Sequence, residues 1–280
     1  MVDERCVKCF LKTYKRLFEK FNVNERDQRF FLSFFDHVIN GNYTNFAPEI
    51  QRNLNKTFCR LIGVDDPFSD EKEDNNRVAL ELYDKWKPRV IESNNPFNLA
   101  LRLAIAGNIM DYGANSDFDI HKTINSVLDS SFAIDKSKEL KQQLLNAEQV
   151  LYLGDNAGEI VFDRLFIETI MHGNITYAVK GGPVLNDVTI DDSIQIGMHY
   201  AADVISNGYD APSTILERCS DEFLRIYNSA DLIISKGQGN MEGLLDNNDP
   251  RIFFLLMVKC DLIAETLGVK KGDFVVHNFS

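Results

Sequence analysis

The sequence predicts an α/β protein in which a helical N-terminal part precedes a mostly parallel sheet with helices on its faces. Two observations support this fold class. Apolar residues recur at helical spacing through residues 1–145, and short β-type runs alternate with helical patterns after about residue 146. We therefore expect one subdomain over residues 1–145 and a second, α/β subdomain over residues 146–280.

In the first half, four segments carry the helical pattern: CFLKTYKRLFEKF, NERDQRFFLSFFDHVI, APEIQRNLNKTFCRLI and EDNNRVALELYDKWKPRVIES. A fifth helix, in NPFNLALRLAIAGNIMDYGA, is apolar on most sides, so we expect it to be buried. Asn108 and Asp111 are polar residues three apart on that helix, and they either line a site or cap the helix end.

In the second half, the predicted strands are QVLYLG, NITYAVK, ADVISNG, ADLIISKG and DFVVHN, with helical patterns between them. Ligands of open α/β sheets bind at the carboxyl ends of the strands. Functional residues should therefore follow the β-type runs directly.

The composition narrows the class of partner. The chain has 280 residues, 44% of them hydrophobic, and a net charge of −12, which argues against nucleic acid because phosphate backbones require a basic surface. A small phosphorylated ligand is still compatible with this net charge, since a metal ion and two lysines can make the local charge positive. The charged N-terminus shows no signal peptide, and no apolar run is long enough to cross a membrane. Together with five cysteines, an odd number, this predicts a cytoplasmic protein with reduced thiols.

Two loops supply oxygen ligands. In GDNAGE, Asp155 and Asn156 follow the first strand, and the N–H groups of the helix expected near Gly158 favour an anion. In VKGGPVLNDVTIDD, Asp187 follows the next strand. The alternative is structural in both cases, because Asp and Asn are common helix caps. In the second loop the cap would be Asp191 or Asp192. A cap does not explain the long Gly-Gly-Pro segment.

Two lysines stand near later apolar runs. Lys236 follows ADLIIS and precedes Gly-Gln-Gly-Asn, where small residues leave room for a ligand beside a point charge. The alternative is a plain strand–turn–helix connection. Lys259 interrupts FFLLMVKCDLIAE, so it either meets an anion or is exposed at the end of a strand.

Cys6 and Cys9 have the Cys-x-x-Cys spacing of redox and zinc sites. No second cysteine pair or histidine cluster follows at zinc spacing, so we interpret them as core or half-buried cysteines on one helix face. We expect them to be dispensable for chemistry.

Taken together, these loops indicate a site that binds a metal ion and acts on a phosphate group. Asp155, Asn156 and Asp187 are hard oxygen donors that suit Mg²⁺ or Mn²⁺, with Co²⁺ and Ni²⁺ as alternatives, and Lys236 and Lys259 would neutralise phosphate oxygens. Such a set of residues is suited to metal-assisted phosphoryl transfer to water.

The motifs GDNAGE, KGGPVLNDVT, ADLIISKGQGNMEGL and FFLLMVKCDLIAE, in this order, resemble the damage-control phosphatase family, and CVKC resembles its mainly prokaryotic subfamily. The resemblance implies a Rossmann-like α/β/α core after a helical N-terminal part. It also implies a metal site at Asp155, Asn156 and Asp187. The matching substrate-contact residues are Lys236, Gly237, Gln238, Gly239, Asn240 and Lys259. The stretch DAPST departs slightly from the Pro-Gly-Thr expected there, which leaves the shape of that loop open.

The resemblance implies hydrolysis of phosphate monoesters such as sugar phosphates or phosphopantetheine-like metabolites. In the matching mechanism, the amides of Gly158 and Glu159 and the lysines stabilise charge on the phosphoryl oxygens. The general acid stays open among Glu159, Asp191 and Asp192, and the oligomeric state is not predicted. The alternatives are a metal-free sugar-phosphate-binding protein, a carboxylate methyltransferase and a redox protein built on the cysteine pair. A methyltransferase needs a glycine-rich loop for adenosine after the first strand, and GDNAGE matches such a loop poorly.

Overall fold

The computed structural model describes residues 2–41, 46–107, 124, 127–128 and 130–279. Eleven helices of at least one full turn are described. They are α1 (Glu4–Lys20), α2 (Glu25–Asn40), α3 (Ala47–Ile62), α4 (Ser69–Ile91), α5 (Pro96–Ala106), α6 (Ser137–Asn146), α7 (Glu159–Ile170), α8 (Ile190–Gln195), α9 (Asp221–Ser229), α10 (Gly237–Leu244) and α11 (Asp261–Leu267). The described strands are β1 (Ile134–Asp135), β2 (Val150–Leu153), β3 (Ile175–Val179), β4 (Asp203–Ser206), β5 (Leu232–Lys236), β6 (Ile252–Met257) and β7 (Phe274–His277).

The strands form one sheet in the order β1-β7-β6-β5-β2-β3-β4. All neighbouring strands are parallel except β6 and β7, which pair antiparallel. The predicted α/β class with a mostly parallel sheet is therefore confirmed. Five of the strands match the predicted β-type runs, whereas β1 and β6 are additional. Strand β6 reads IFFLLM and is buried on both faces, so it lacks the alternation that marks a half-exposed strand.

Helices cover both faces of the sheet. On one face, Tyr152, Ile234 and Leu255 pack with α4, α5, α6 and α7 in the largest core. On the other face, Leu153 and Ile233 pack with α9, α10 and α11. This alternation of side chains along each strand gives the α/β/α layers that the resemblance implies.

The N-terminal helices divide into two packing units. Helices α1, α2 and α3 share an aromatic-rich core of their own around Tyr14, Phe31 and Phe58. Helices α4 and α5 belong to the core of the sheet instead. Strand β1 lies before the predicted boundary at residue 146, yet it joins the sheet beside β7. Residues on both sides of that boundary thus contribute to the α/β core.

None of the described helices combines the length with the apolar character that crossing a membrane requires.

Candidate active site

The loops after β2 and β3 are joined by their backbones, which brings the predicted metal ligands together. Asn156 and Asp187 form an antiparallel bridge, and the N–H of Val188 donates to the carbonyl of Asp155 at 2.9 Å. Strands β2 and β3 are parallel neighbours, so both loops leave the same edge of the sheet. Asp155, Asn156 and Asp187, called here the oxygen triad, consequently lie side by side.

The oxygen triad does not cap a helix. Helix α7 begins after Gly158, and no side chain caps it. Helix α8 has a capping box of its own, made by Thr189 and Asp192. A helix cap is therefore wrong for Asp155 and Asn156 in the first loop, whereas in the second loop the expected cap is confirmed at Asp192. The polar side chains of the triad are left for another role.

Burial gives the triad unusual electrostatics. The side chains of Asp155, Asn156 and Asp187 are each at most 6% exposed. Burial raises the pKa of Asp155 well above its ordinary value, and the negative charges of Glu159 and Asp187 raise it further. Lys259 and Lys180 act in the opposite direction. The carboxylates around Asp155 thus repel its negative charge, and the two lysines reduce this repulsion without reversing the rise in pKa.

The donor set fits a hard divalent cation. The amide nitrogen of Asn156 donates to Asp155 Oδ2 at 2.6 Å and to Glu159 Oε2 at 3.2 Å, which commits the nitrogen and leaves the amide oxygen as the ligand atom. A cation would also relieve the repulsion that raises the pKa of Asp155. Within the described part of the chain, no group of three or more His, Cys, Asp or Glu is arranged to hold a metal. A metal here would therefore rely on the amide oxygen as well as on carboxylates.

Asn240 fixes three loops around the triad. Its side-chain nitrogen donates to the carbonyls of Gly154 and Lys236, both at 2.9 Å. Its side-chain oxygen accepts from Lys180 Nζ at 2.6 Å and from Thr214 Oγ1 at 2.9 Å. The predicted substrate-binding residue Asn240 is thus fully buried and fully hydrogen-bonded. Through Thr214, the DAPST loop is anchored to the same side chain.

Lys180 is a candidate that the sequence interpretation missed. Its ammonium lies 3.6 Å from Asp187 Oδ2 and is only 2% exposed. It follows β3 directly, so the rule that singled out Asp155 after β2 and Lys236 at the end of β5 would also have found it. Its position supplies buried positive charge next to the triad.

Two glycines allow the backbone to pass close to the triad. Gly237 has φ +75°, and a Cβ built there would lie 1.8 Å from Asp155 Oδ2. At Gly154 a Cβ would lie 2.4 Å from the hydroxyl of Tyr177. Only glycine fits either position, which explains why small residues flank Asp155 in the chain and in space.

Lys236 has a different set of partners from the one predicted. It is fully buried, and its ammonium donates to the carbonyl of Ala104 at 2.9 Å, to Glu159 Oε1 at 2.6 Å and to Asp163 Oδ1. All three ammonium donors are thereby used inside the protein. Asp163 also accepts from the hydroxyl of Tyr152 at 2.8 Å. The phosphate contact of Lys236 stays a prediction, whereas this geometry supports a role in holding α7 against β5.

The helix N-terminus after β2 is also occupied. The N–H of Gly158 donates to Asn76 Oδ1 at 2.7 Å, so this amide is not available to the anion expected there. Glu159 is completely buried beneath the triad, paired with Lys236. The reason is that α4, which carries Asn76, packs over the start of α7, an arrangement not visible in the local pattern.

The remaining predicted residues fall into two groups. Gln238 and Lys259 lie together, since the N–H of Lys259 donates to Gln238 Oε1 at 3.0 Å, and Lys259 is half-buried. Its charge acts on Asp155, as expected for a lysine near the triad. Asn108 and Asp111 lie outside the described residues.

The cysteine pair lies in α1, as predicted. The prediction that both are core or half-buried is confirmed for Cys6, which is half-buried, and is wrong for Cys9, which is exposed. All five cysteines are within the described residues and are free thiols.

The fold and the site together define an α/β protein whose sheet gathers buried carboxylates, amides and lysines at one carboxyl edge. The chain belongs to the family described as the damage-control phosphatase ARMT1-like domain, whose model matches residues 2–275.

Similar proteins come from archaea. A damage-control phosphatase of Pyrococcus horikoshii is 39% identical over 220 residues, covering 77% of this chain and 76% of that protein. A damage-control phosphatase of Archaeoglobus fulgidus is 33% identical over 229 residues, covering 79% of each chain. The crystal structure of a DUF89 family protein from Pyrococcus horikoshii superposes with a TM-score of 0.89 at 32% identity, covering 100% of this chain and 99% of that one. The family resemblance drawn from the motifs is thereby confirmed.

Proposed function

We propose that this protein is a metal-dependent phosphatase that hydrolyses small phosphate monoesters, such as sugar phosphates or phosphopantetheine-like metabolites, in metabolite damage control. Membership in the phosphatase family supports the reaction class. The observation that carries the metal dependence is the buried oxygen triad, in which burial and the charges of Glu159 and Asp187 raise the pKa of Asp155.

Each residue has a defined task in this proposal. Asp155, Asn156 and Asp187 would hold Mn²⁺ or Mg²⁺ through oxygen atoms. The chemistry that the cation supplies when bound is polarisation of the phosphoryl group and a lower pKa for a neighbouring water. Lys180 and Lys259 attract the phosphate oxygens to this otherwise acidic protein.

The buried residues behind the triad keep it in position. The ion pairs of Lys236 with Glu159 and Asp163 join β5 to α7, and Asn240 orients Lys180 toward the triad. Glu159 is not placed to exchange a proton with substrate, because it is completely buried and already ion-paired. These groups act as positioning residues rather than as contacts to the reacting atoms.

The test compares Asp155→Asn with Asp203→Asn, an exposed carboxylate at the start of β4, at the opposite end of the strands. Metal-stripped protein should gain activity toward p-nitrophenyl phosphate and a panel of monoesters when Mn²⁺, Mg²⁺, Co²⁺ or Ni²⁺ is added. Asp155→Asn should lower kcat/KM by about 100-fold or more, the scale of losing one charge-stabilising group, while Asp203→Asn should not.

Calorimetric titration with Mn²⁺ gives a second readout that is independent of turnover. Mn²⁺ should bind the native protein and Asp203→Asn equally and bind Asp155→Asn much more weakly. Equal Mn²⁺ binding by all three proteins would overturn the metal assignment. Binding of phosphate monoesters without any turnover would instead favour the non-catalytic sugar-phosphate-binding alternative.

A further inference from the structure

A cleft of about 540 Å³ opens between the N-terminal helices and the carboxyl edge of the sheet. One wall comes from α1 and α3, and the other comes from helix α10 and from the loops that follow β3, β4 and β6. One end of the cleft, called here its inner end, lies next to the oxygen triad, although no triad residue lines it. Gly239 and Lys259 line this end, and a Cβ built on Gly239 would lie 4.0 Å from Asp155 Oδ1. Leu185, two residues before Asp187, lines it as well.

The cleft is larger than a phosphate group requires. Cavities of roughly 300–1,000 Å³ take organic ligands of substantial size. Apolar side chains such as Phe10, Pro48 and Leu262 also line the cleft. A ligand that fills it therefore has a carbon body extending several bonds beyond the phosphate.

The outer rim carries two lysines from opposite ends of the chain. Lys12 comes from α1, and Lys271 comes from the turn between α11 and β7. Burial raises the pKa of Cys9, and the charge of Glu242 raises it further, whereas the charges of Lys12 and Lys271 lower it. Both ammonium groups consequently lie near the same thiol at the rim.

These two lysines differ from their cationic neighbours. Lys8 is paired with Glu4 at 2.9 Å, and Arg5 is paired with Glu265 at 2.8 Å. Lys12 and Lys271 form no ion pair or hydrogen bond with the described part of the chain. Two carboxylates, Glu242 and Asp261, also line the cleft, but neither forms an ion pair with Lys12 or Lys271 in the described part of the chain. In a protein with a net charge of −12, two lysines without an ion pair give this part of the cleft a local attraction for an anion.

We propose that the substrate is a phosphomonoester whose far end carries a second anionic group, a phosphate or a carboxylate, bound between Lys12 and Lys271. The proposal rests on the proposed phosphatase function. The phosphate to be removed lies at the oxygen triad, the carbon body contacts the apolar walls, and the second anion is held at the rim. This arrangement selects substrates by their length and by the charge at both ends.

The test uses the double variant Lys12→Gln, Lys271→Gln. The matched control is Lys15→Gln, Lys270→Gln, which removes two exposed lysines from the same segments without touching the cleft lining. The probes are glucose 6-phosphate, with one anionic group, 6-phosphogluconate, with an added carboxylate, and fructose 1,6-bisphosphate, with an added phosphate.

The rim variant should raise KM about fivefold to tenfold for the probes with two anionic groups, with kcat little changed, because each exposed ion pair contributes modestly. KM for glucose 6-phosphate should stay the same, and the control should match the native protein. The relative loss on 6-phosphogluconate and on the bisphosphate identifies the preferred second anion. An equal rise for all three probes, no rise at all, or the same rise in the control would overturn the proposal.

Calorimetric titration of the same probes separates this proposal from the proposed function. If the native protein hydrolyses no ester with any metal, the phosphatase assignment fails, and the titrations still decide whether the rim binds the second anion. Tighter binding of the probes with two anionic groups that disappears in the rim variant supports the anion site. Equal binding of all probes by both variants contradicts it.

Discussion

Gly237 provides the sharpest test of how the backbone shapes the candidate site. It has φ +75°, and an added Cβ would lie 1.8 Å from Asp155 Oδ2 and 2.2 Å from Asp155 Cγ. Real Cβ contacts essentially never fall below 3.0 Å, so these atoms must separate by more than 1 Å in Gly237→Ala. Asp155 is buried and closely packed, and the carboxylate must therefore leave its position.

The magnitude follows from two separate costs. The positive φ costs an alanine about 1–2 kcal/mol of folding stability, whatever space surrounds it. Displacement of Asp155 adds a functional cost, since a shift of about 1 Å in a catalytic group can lower the rate by about 100-fold. We expect kcat/KM to fall by about that factor and Mn²⁺ binding to weaken with it.

Gly268→Ala is the matched control. Gly268 has φ +67°, and no atom lies within 4 Å of its added Cβ, so this variant incurs the backbone cost alone. The assays are urea denaturation, steady-state kinetics with a phosphate monoester, and Mn²⁺ titration. Gly268→Ala should lose stability but keep activity per folded molecule. If Gly237→Ala behaves in the same way, the close approach of Gly237 to Asp155 does not position the carboxylate.

Three further predictions concern buried and thiol groups. Lys236→Ala should lower the free energy of unfolding in urea by about 3–5 kcal/mol, because it leaves Glu159 and Asp163 without their cation; unchanged stability would contradict the structural role. Burial raises the pKa of Asp163 to about 6, so this carboxyl binds more protons in the folded state, and its contribution to stability should fall as pH rises from about 4 to 6. Chemical denaturation across that pH range should show that the free energy of unfolding declines less in Asp163→Asn than in the native protein. An equal decline in both proteins would refute the prediction. Replacing Cys6 and Cys9 with Ser should leave kcat unchanged under reducing conditions, and a loss of kcat in folded protein would show that the pair takes part.

The order of motifs along the chain was sufficient to predict much of the site. Because the sheet is mostly parallel, the loops that follow neighbouring strands meet at one edge, and this rule placed the loops of Asp155, Asn156 and Asp187 together. Asp187 lies eight residues after β3 and meets Asn156 through the backbone bridge between the loops. The same rule extends to Lys180, which follows β3. The helix and strand patterns likewise determined the α/β class, since periodicity depends only on the local sequence.

The tertiary structure alone decided which way Lys236 points and what it meets. A residue at the end of a strand faces one side of the sheet or the other, and its partners depend on the helix that covers that side. Here α7 places Glu159 and Asp163 against the ammonium, so a lysine in a ligand-binding pattern becomes a buried ion pair. Residues of the covering helix lie more than 70 positions away, beyond the reach of any local pattern.

The cleft is a second feature that the sequence could not reveal. Residues from both ends of the chain line it: Lys12 and Cys9 come from the N-terminal helix α1, and Lys271 and Cys260 come from the C-terminal part. Local patterns place each residue on its own helix or turn, but only the packing of the N-terminal helices on the sheet brings them to one opening. The sequence by itself thus determined the elements and the edge where ligands bind. The long-range packing decided which charged side chains form buried ion pairs that hold the elements together and which ones lie where a ligand can bind.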